Sequence, residues 1–339
     1  MGSQSLAHYI IAVLYVVSLC MGGCKKMDKF EWLPSESAPE AYPVEIVRGV
    51  FVLADGNSVF IPDGKLINNN WGEGYSTHLV GSLAKALPVQ LEISWFSYGE
   101  NLFFSGRFTL PKEKIFSLFK KGVNDGQPGE RTPISQVVVG LLPRGRVSLW
   151  LAGGGTVIEV AKFIAEPASI PWEQILDDDE ITRETYIRQS LEDAMSPEML
   201  VDFDAYGITD NAWVIYQKRY SWRFVMGSDT VEFLSMRVNT FNGESEFIDF
   251  SEQSEKRDRR GIPKRLIVRW ADSSGEAYKS DIVFNKPEVV AAFEELSGKN
   301  DDLIMTLEVE VSGNTGKVNI ALSNQTLYLP MEKCDIKLY

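Results

Sequence analysis

Two stretches of the chain carry the same alternation of apolar and polar positions. Leu91, Ile93 and Trp95 share one face of the run 87–95, and Leu266, Val268 and Trp270 share one face of 262–270. Period-two alternation predicts a strand with one buried side. A Pro stands near the start of each run and a Trp closes it: Pro88 and Trp95, then Pro263 and Trp270. The match continues in order. Gly99-Glu100 meets Gly275-Glu276, Phe108 meets Phe284, and Pro111 meets Pro287. Gly145-Arg146-Val147-Ser148-Leu149 then meets Gly316-Lys317-Val318-Asn319-Ile320, and Thr156-Val157 meets Thr326-Leu327. The offset stays at about 170–176 positions, which predicts an internal duplication.

Each copy reads as a β-rich module. A second strand is expected at 102–110 and 277–284, followed by a short helix at 111–121 and 287–297. Pro111 and Pro287 suit a first helical turn, where a missing N–H breaks no bond. Gly122 and Gly298 stop those helices. Further strands complete the copies at 134–142, 146–152 and 156–164, and at 303–311, 316–322 and 326–330. Between the copies, 171–219 reads as helical. Pro171, Thr182 and Pro197 mark starts and Gly207 a stop. Tyr186, Ile187, Leu191 and Met195 line one side of a helix from Arg183 to Met195. The fold class is therefore α+β. Two tandem β-rich modules, 44–168 and 221–339, each hold a mainly antiparallel sheet with a short helix, and a helical insert at 169–220 joins them.

The N-terminus has a different pattern. An apolar run from Leu6 to Val17 and on through Leu19 closes in Met21-Gly22-Gly23-Cys24. Small residues before a Cys, after such a run, form a lipoprotein signal whose cleavage leaves an acylated Cys24 as the new terminus. Residues 1–23 contain no Lys, Arg, Asp or Glu, so the basic start of a usual signal is missing and His8 is its only stand-in. An uncleaved anchor helix is the alternative, although the run is barely the ~20 residues needed to span a bilayer. Myristoylation would need Ser or Thr where Leu6 stands. Several acyl chains at roughly 0.8 kcal/mol per buried methylene would hold the chain to a membrane. Lys25 after the Cys favours the outer membrane, inner leaflet, facing the periplasm. Segment 24–43, with Pro34, Pro39 and Pro43, reads as an extended tether, and folding is expected to begin near Val44.

Charge and cysteine content narrow the partners. With 34 Lys and Arg against 47 Asp and Glu, the net charge is −13, which disfavours nucleic acid. Of three cysteines, Cys20 leaves with the signal and Cys24 is acylated, so Cys334 has no disulfide partner. Cys334 aligns with Ile164 and reads as a small buried hydrophobe.

No catalytic set emerges. Once His8 is removed, His78 is the sole histidine, and no G-x-S-x-G elbow accompanies it. One His with one thiol cannot supply a usual zinc set, and no cofactor motif is present. The run Asp177-Asp178-Asp179-Glu180 lacks the alternation and Gly turn of a calcium loop, and reads as a solvated helix start. Gly153-Gly154-Gly155 joins two strands and reads as a hairpin turn. The loop Asn68-Asn69-Asn70-Trp71-Gly72-Glu73-Gly74-Tyr75 carries the aromatic types that anchor interfaces. Trp71, Tyr75 and the nearby His78 are expected to meet a partner. A Trp folded back onto its own sheet is the alternative. The basic run with Arg257, Arg259 and Arg260 is the second expected contact, with a solvated loop as its alternative.

The N-terminal cysteine motif, the Leu-Pro-x-x-Leu-x-Ile-x-Trp run at 87–95, the Phe108-x-Leu110-Pro111 strand end and the Gly145-x-Val147-x-Leu149-Trp150-Leu151 strand resemble a bacterial lipoprotein family, domain of unknown function 2931. The resemblance covers most of 42–225 and, through the repeat, the second copy. It implies an envelope lipoprotein without an active site. Some members look like immunity proteins encoded beside type VI secretion phospholipase effectors, so it also implies binding of a protein toxin. The expected function is a lipid-anchored binding protein; a carboxylate-dependent envelope enzyme and a structural lipoprotein are the alternatives.

Overall fold

The computed structural model describes residues 28–69, 71–77, 82–126, 131–178, 180–209, 213–228, 230–250, 259–298, 304–313 and 315–339. Cys24, His78 and Arg257 lie outside the described residues. The first module contains β1 (Phe30–Glu31), β2 (Leu33–Ser37), β3 (Val44–Leu53), β4 (Ser58–Phe60), β5 (Leu66–Ile67), β6 (Ala84–Lys85), β7 (Pro88–Ser97) and β8 (Leu102–Thr109). It continues with α1 (Lys112–Lys121), β9 (Gln136–Leu142), β10 (Arg146–Gly153), β11 (Thr156–Ile164) and β12 (Glu166–Ala168). The insert holds α2 (Arg183–Ala194) and α3 (Pro197–Tyr206), with a short 3-10 turn at Trp172–Gln174 before them and another at Val214–Tyr216 after. The second module contains β13 (Trp222–Gly227), β14 (Glu232–Thr240), β15 (Ser245–Asp249), β16 (Pro263–Ala271) and β17 (Ala277–Val283). Helix α4 (Lys286–Ser297), β18 (Met305–Ser312), β19 (Lys317–Ser323), β20 (Tyr328–Pro330) and β21 (Asp335–Leu338) complete it.

The strand orders make the duplication visible. In the first module the order β12-β8-β7-β3-β4 packs over β2-β9-β10-β11; in the second, β21-β17-β16-β14-β15 packs over β13-β18-β19-β20. Every position in one order has its counterpart in the other. The pairs β2·β9 and β13·β18 are both parallel amid antiparallel neighbours. Register shifts occur at Ile46/Arg48 and Val52/Leu53 of β3, and at Phe233/Ser235 and Asn239/Thr240 of β14. Trp95 stands opposite Phe104 and stacks on it at 5.4 Å; Trp270 stands opposite Tyr278 and stacks at 4.6 Å. Between the sheets lie two separate cores, each sealed by a helix. Ile115 and Phe119 of α1, one turn apart, enter the first, while Val289, Phe293 and Leu296 of α4 enter the second. Both helices stop at a Gly with positive φ, Gly122 and Gly298.

A second pair of tryptophans occupies equivalent places. Trp32 Nε1 donates to the Ala86 carbonyl at 3.3 Å, and Trp222 Nε1 donates to the Gly261 carbonyl at 3.1 Å. A cation then clasps each Trp backbone. Lys85 Nζ donates to the Trp32 carbonyl at 2.6 Å, and Arg260 Nη1 donates to the Trp222 carbonyl at 3.2 Å.

This clasp corrects the expected tether. Phe30 to Ser37 belong to the folded body, with Trp32 1% exposed and Glu36 wholly buried. Pro34 is tolerated because β2 is the edge strand of its sheet, where one missing donor breaks no ladder. Cys334 is a second correction. Its supposed counterpart Ile164 is 64% exposed, whereas Cys334 is half-buried against the second core.

The two modules join edge to edge. Strand β11 pairs with β15 at Val157 and Ser245, so the four-stranded sheet of one module runs into the five-stranded sheet of the other as nine strands. The insert lies over the outer face of the first module's β3-β7-β8 sheet. Ile187, Leu191 and Met195 pack there on Phe96, Tyr98 and Phe103. Among the described residues no helix is long and apolar enough to cross a membrane.

Candidate functional site

The described residues among those that the sequence singles out do not converge. Trp71 is 6% exposed: its ring meets Trp150 edge-on at 4.6 Å, and its Nε1 donates to the Tyr216 carbonyl at 3.0 Å. The fold-back alternative describes it, so Trp71 is corrected from an exposed anchor to a floor residue. The cause is the outer face of the first module's four-stranded sheet, where Val138, Leu142, Trp150 and Val157 need cover. Tyr75 remains exposed, with Lys65 Nζ 4.2 Å above its ring. Arg260 is also corrected: it is buried, pairs with Glu246 at 2.6 Å and holds the Trp222 backbone. Arg259 is exposed and donates to the Arg219 carbonyl at 3.1 Å. Among the described residues no three His, Cys, Asp or Glu side chains gather as a metal site. The Gly153–Gly155 run turns the β10–β11 hairpin, and Arg237 of the second module donates to the Gly155 carbonyl.

A different place gathers binding-type side chains. A cleft of about 650 Å³ opens where the first module, the insert and the second module meet. The turn before β3 supplies Tyr42, held by its N–H to the Pro39 carbonyl at 2.9 Å. Helix α3 supplies Met199, Phe203 and Tyr206. Its Ser196 side chain accepts from the Met199 N–H, and it ends at Gly207. The turn at Val214–Tyr216 supplies Tyr216, and the second module supplies Phe241, Lys264 and Lys286. Trp71 forms part of the floor.

Two contacts hold the modules against each other. The first is backbone against backbone. Gly72 and Gly243 both have φ +83°, and a Cβ on Gly72 would sit 2.3 Å from the Gly243 carbonyl oxygen, so neither accepts a side chain. The second is a nearly buried ionic bridge. Arg219 reaches Glu159 of β11 at 3.0 Å and Glu244, between β14 and β15, at 2.7 Å. Burial works against the Arg219 charge, but Glu244 and Glu159 together hold its pKa above the ordinary arginine value.

Burial dominates the electrostatics inside the cleft. Burial, with Tyr216 beside it, pushes the Tyr42 hydroxyl well above the usual phenol range. Burial and the nearby Glu40 push Tyr216 up to about 12. Both hydroxyls therefore stay protonated at neutral pH and serve as hydrogen-bonding groups. Lys286 lies exposed at the mouth with its ammonium 5.2 Å from the Tyr216 ring centre, and its crowded surroundings lower its pKa by desolvation.

Sequence reasoning missed this cleft. Helix α3 carried the one local signal. Met199, Leu200, Val201, Phe203 and Tyr206 make it apolar, yet it has no buried residue, and Val201 and Tyr206 are 68% and 73% exposed.

No curated protein and no solved structure matches the chain. A family model matches residues 22–206, from before β1 to the last residue of α3 and over more than half of the chain. It thus takes in the first module and the insert helices, and ends before the second module. The family membership that the resemblance predicts is thereby shown over 22–206; the match does not reach the second copy, to which the repeat extends that expectation. The chain belongs to the family described as Protein of unknown function (DUF2931).

Proposed function

We propose that this chain is a lipid-anchored, periplasm-facing binding protein that recognises a protein partner through the inter-module cleft and transforms no substrate. Acylated Cys24 moors it at the outer membrane. Its most concrete form is an immunity protein that occludes a secreted phospholipase-type toxin, the role implied by the family resemblance.

One observation carries the reading: α3 stands at the cleft only partly covered, with Met199, Leu200 and Phe203 half-buried against the insert's cluster and Val201 and Tyr206 left exposed. A helix with no buried residue, presenting Val201 and Tyr206 to solvent beside Met199 and Phe203, has the composition of an interface in want of its other half. A cleft of this volume, lined by aromatic and Met side chains with two lysines, is of ligand-binding size. The carboxylate-enzyme reading has one observation of its own, the approach of Glu159 and Glu244. Arg219 lies between them and joins both, which favours a structural bridge.

The test is capture of a partner by the full chain from envelope extracts, compared with Tyr206→Asp. The partner is expected to be retained by the natural chain and lost from the variant, whose thermal midpoint should not move. A partner retained equally by both would refute the cleft as its site. Replacing Cys24 by Ser should release the protein from the membrane fraction.

A further inference from the structure

The cleft has a neighbour. A second hollow, of about 580 Å³, is lined by Val214, Ile215, Ile262, Val290 and Ala291. Lys286 lines both hollows, and consecutive residues of the 214–216 turn divide between them, Tyr216 on one side and Val214 and Ile215 on the other. Two largely apolar hollows therefore share the Lys286 ammonium, with Lys218 as a further cation in the second.

Among the described residues, Lys286 is the one that lines both hollows. The more buried cations have partners: Lys85 on the Trp32 carbonyl, Arg219 on two glutamates, and Arg260 on Glu246. Lys286 makes no hydrogen bond or ion pair among the described residues; its one contact of this kind is with the Tyr216 ring. Glu40, Asp202 and Glu294 line the hollows, yet none pairs with it. Lys286 is also the first residue of α4, where the helix start adds positive potential. Lys264 adds a second cation to the first hollow.

We propose that the two hollows take one extended peptide segment of the partner, with apolar side chains in each hollow and a carboxylate between them, set against Lys286. The inference rests on the cleft being the recognition surface. A carboxylate there supplies the charge that Lys286 lacks, and a charge-assisted contact in a partly dry cleft gives specificity as well as affinity. The crowding that lowers the Lys286 pKa is the same desolvation that a bound carboxylate would offset.

The test uses the full chain in detergent and two fluorescein-labelled capped peptides, Leu-Phe-Glu-Phe-Leu and the same peptide with Gln for Glu. Fluorescence anisotropy should show the Glu peptide bound roughly tenfold more tightly. Lys286→Met should shrink that preference to about twofold or less and leave the Gln peptide nearly unchanged. Tyr206→Ala should weaken both peptides alike. Equal binding of the two peptides, with loss in Tyr206→Ala, would overturn the carboxylate and leave the cleft in place. A Glu preference that survives in Lys286→Met would overturn the role of Lys286. Binding insensitive to both variants, or no binding of either peptide, would overturn the peptide segment itself.

Discussion

The two modules have the same strand orders and differ in what covers them. In the first, Phe96 and Phe103 stand opposite each other on the outer face of β7 and β8, and the insert packs over them. In the second, Ala271 and Ala277 occupy the corresponding pair of positions on β16 and β17. Next along the same strands, Arg269 and Lys279 stand opposite each other and, with Arg237, line a hollow of about 560 Å³. An aromatic pair under helices has become an alanine pair beside charges, as expected when one sheet face is coated and the other meets water. The architecture survived duplication because the inner faces were kept. The difference in surface is what creates the cleft, since only the first module has helices that reach across to the second. The family match to 22–206 covers the first module and those helices; the second module lies outside it and closes the cleft with Phe241, Lys264 and Lys286.

If the copies are equivalent inside, matched mutations should act alike. Trp32→Ala and Trp222→Ala should each destabilise by roughly 3–5 kcal/mol, since each empties a fully buried ring site and frees a carbonyl. Urea unfolding followed by tryptophan fluorescence measures both. A large effect in one module with almost none in the other would break the equivalence. The joint comes next. Arg219→Met leaves Glu159 and Glu244 facing each other nearly buried and should be destabilising by about 3 kcal/mol. Its unfolding should lose cooperativity as the modules separate. A single unaltered transition would show that the bridge does not hold them.

Smaller effects sharpen the difference in covering. Leu191→Ala in the insert should be destabilising by about 2 kcal/mol. Arg269→Ala on the bare sheet should stay within about 0.5 kcal/mol. The smallest effect concerns pH. Burial raises the Glu45 pKa above the usual glutamate range, although the Tyr98 hydroxyl donates to it at 2.6 Å and works the other way. The folded chain therefore binds this proton more tightly than the unfolded chain, so its stability contribution is lost as pH rises through the folded pKa. Relative to Glu45→Gln, the natural chain should lose stability as pH rises above the ordinary glutamate pKa. An opposite slope would show that the Tyr98 hydrogen bond prevails over burial.

What could be read from the sequence follows one rule: regular patterns with hard stops were legible. The alternation at 91–95 and 266–270 located β7 and β16. Pro287 and Gly298 lie within a residue of the two ends of α4, and Thr182 marked the start of α2. Segment 33–37 escaped because its buried residues are Pro34 and three polar ones; Ser35, Glu36 and Ser37 are all wholly buried, satisfied in part by Ser76 and Lys65. Hydrophobic periodicity cannot detect a buried strand of that composition. Arg260 escaped for another reason. Its equivalent Lys85 is also basic, yet a cation reads as a surface charge until the carbonyl it clasps is located. Trp71 had the right residue type, but composition does not say which way a ring points. The cleft draws on residues from Pro39 to Lys286, so no local window contains it.

The central claim is that recognition occurs where α3 faces the second module. A photo-crosslinking amino acid placed at Tyr206, and in a separate protein at Val283 of the second module's outer sheet, tests it most directly in cells. Both positions are exposed, so neither replacement disturbs a core. The account expects a discrete protein adduct from Tyr206, lost on Lys286→Glu, and none from Val283. An adduct from Val283 with Tyr206 silent would contradict it.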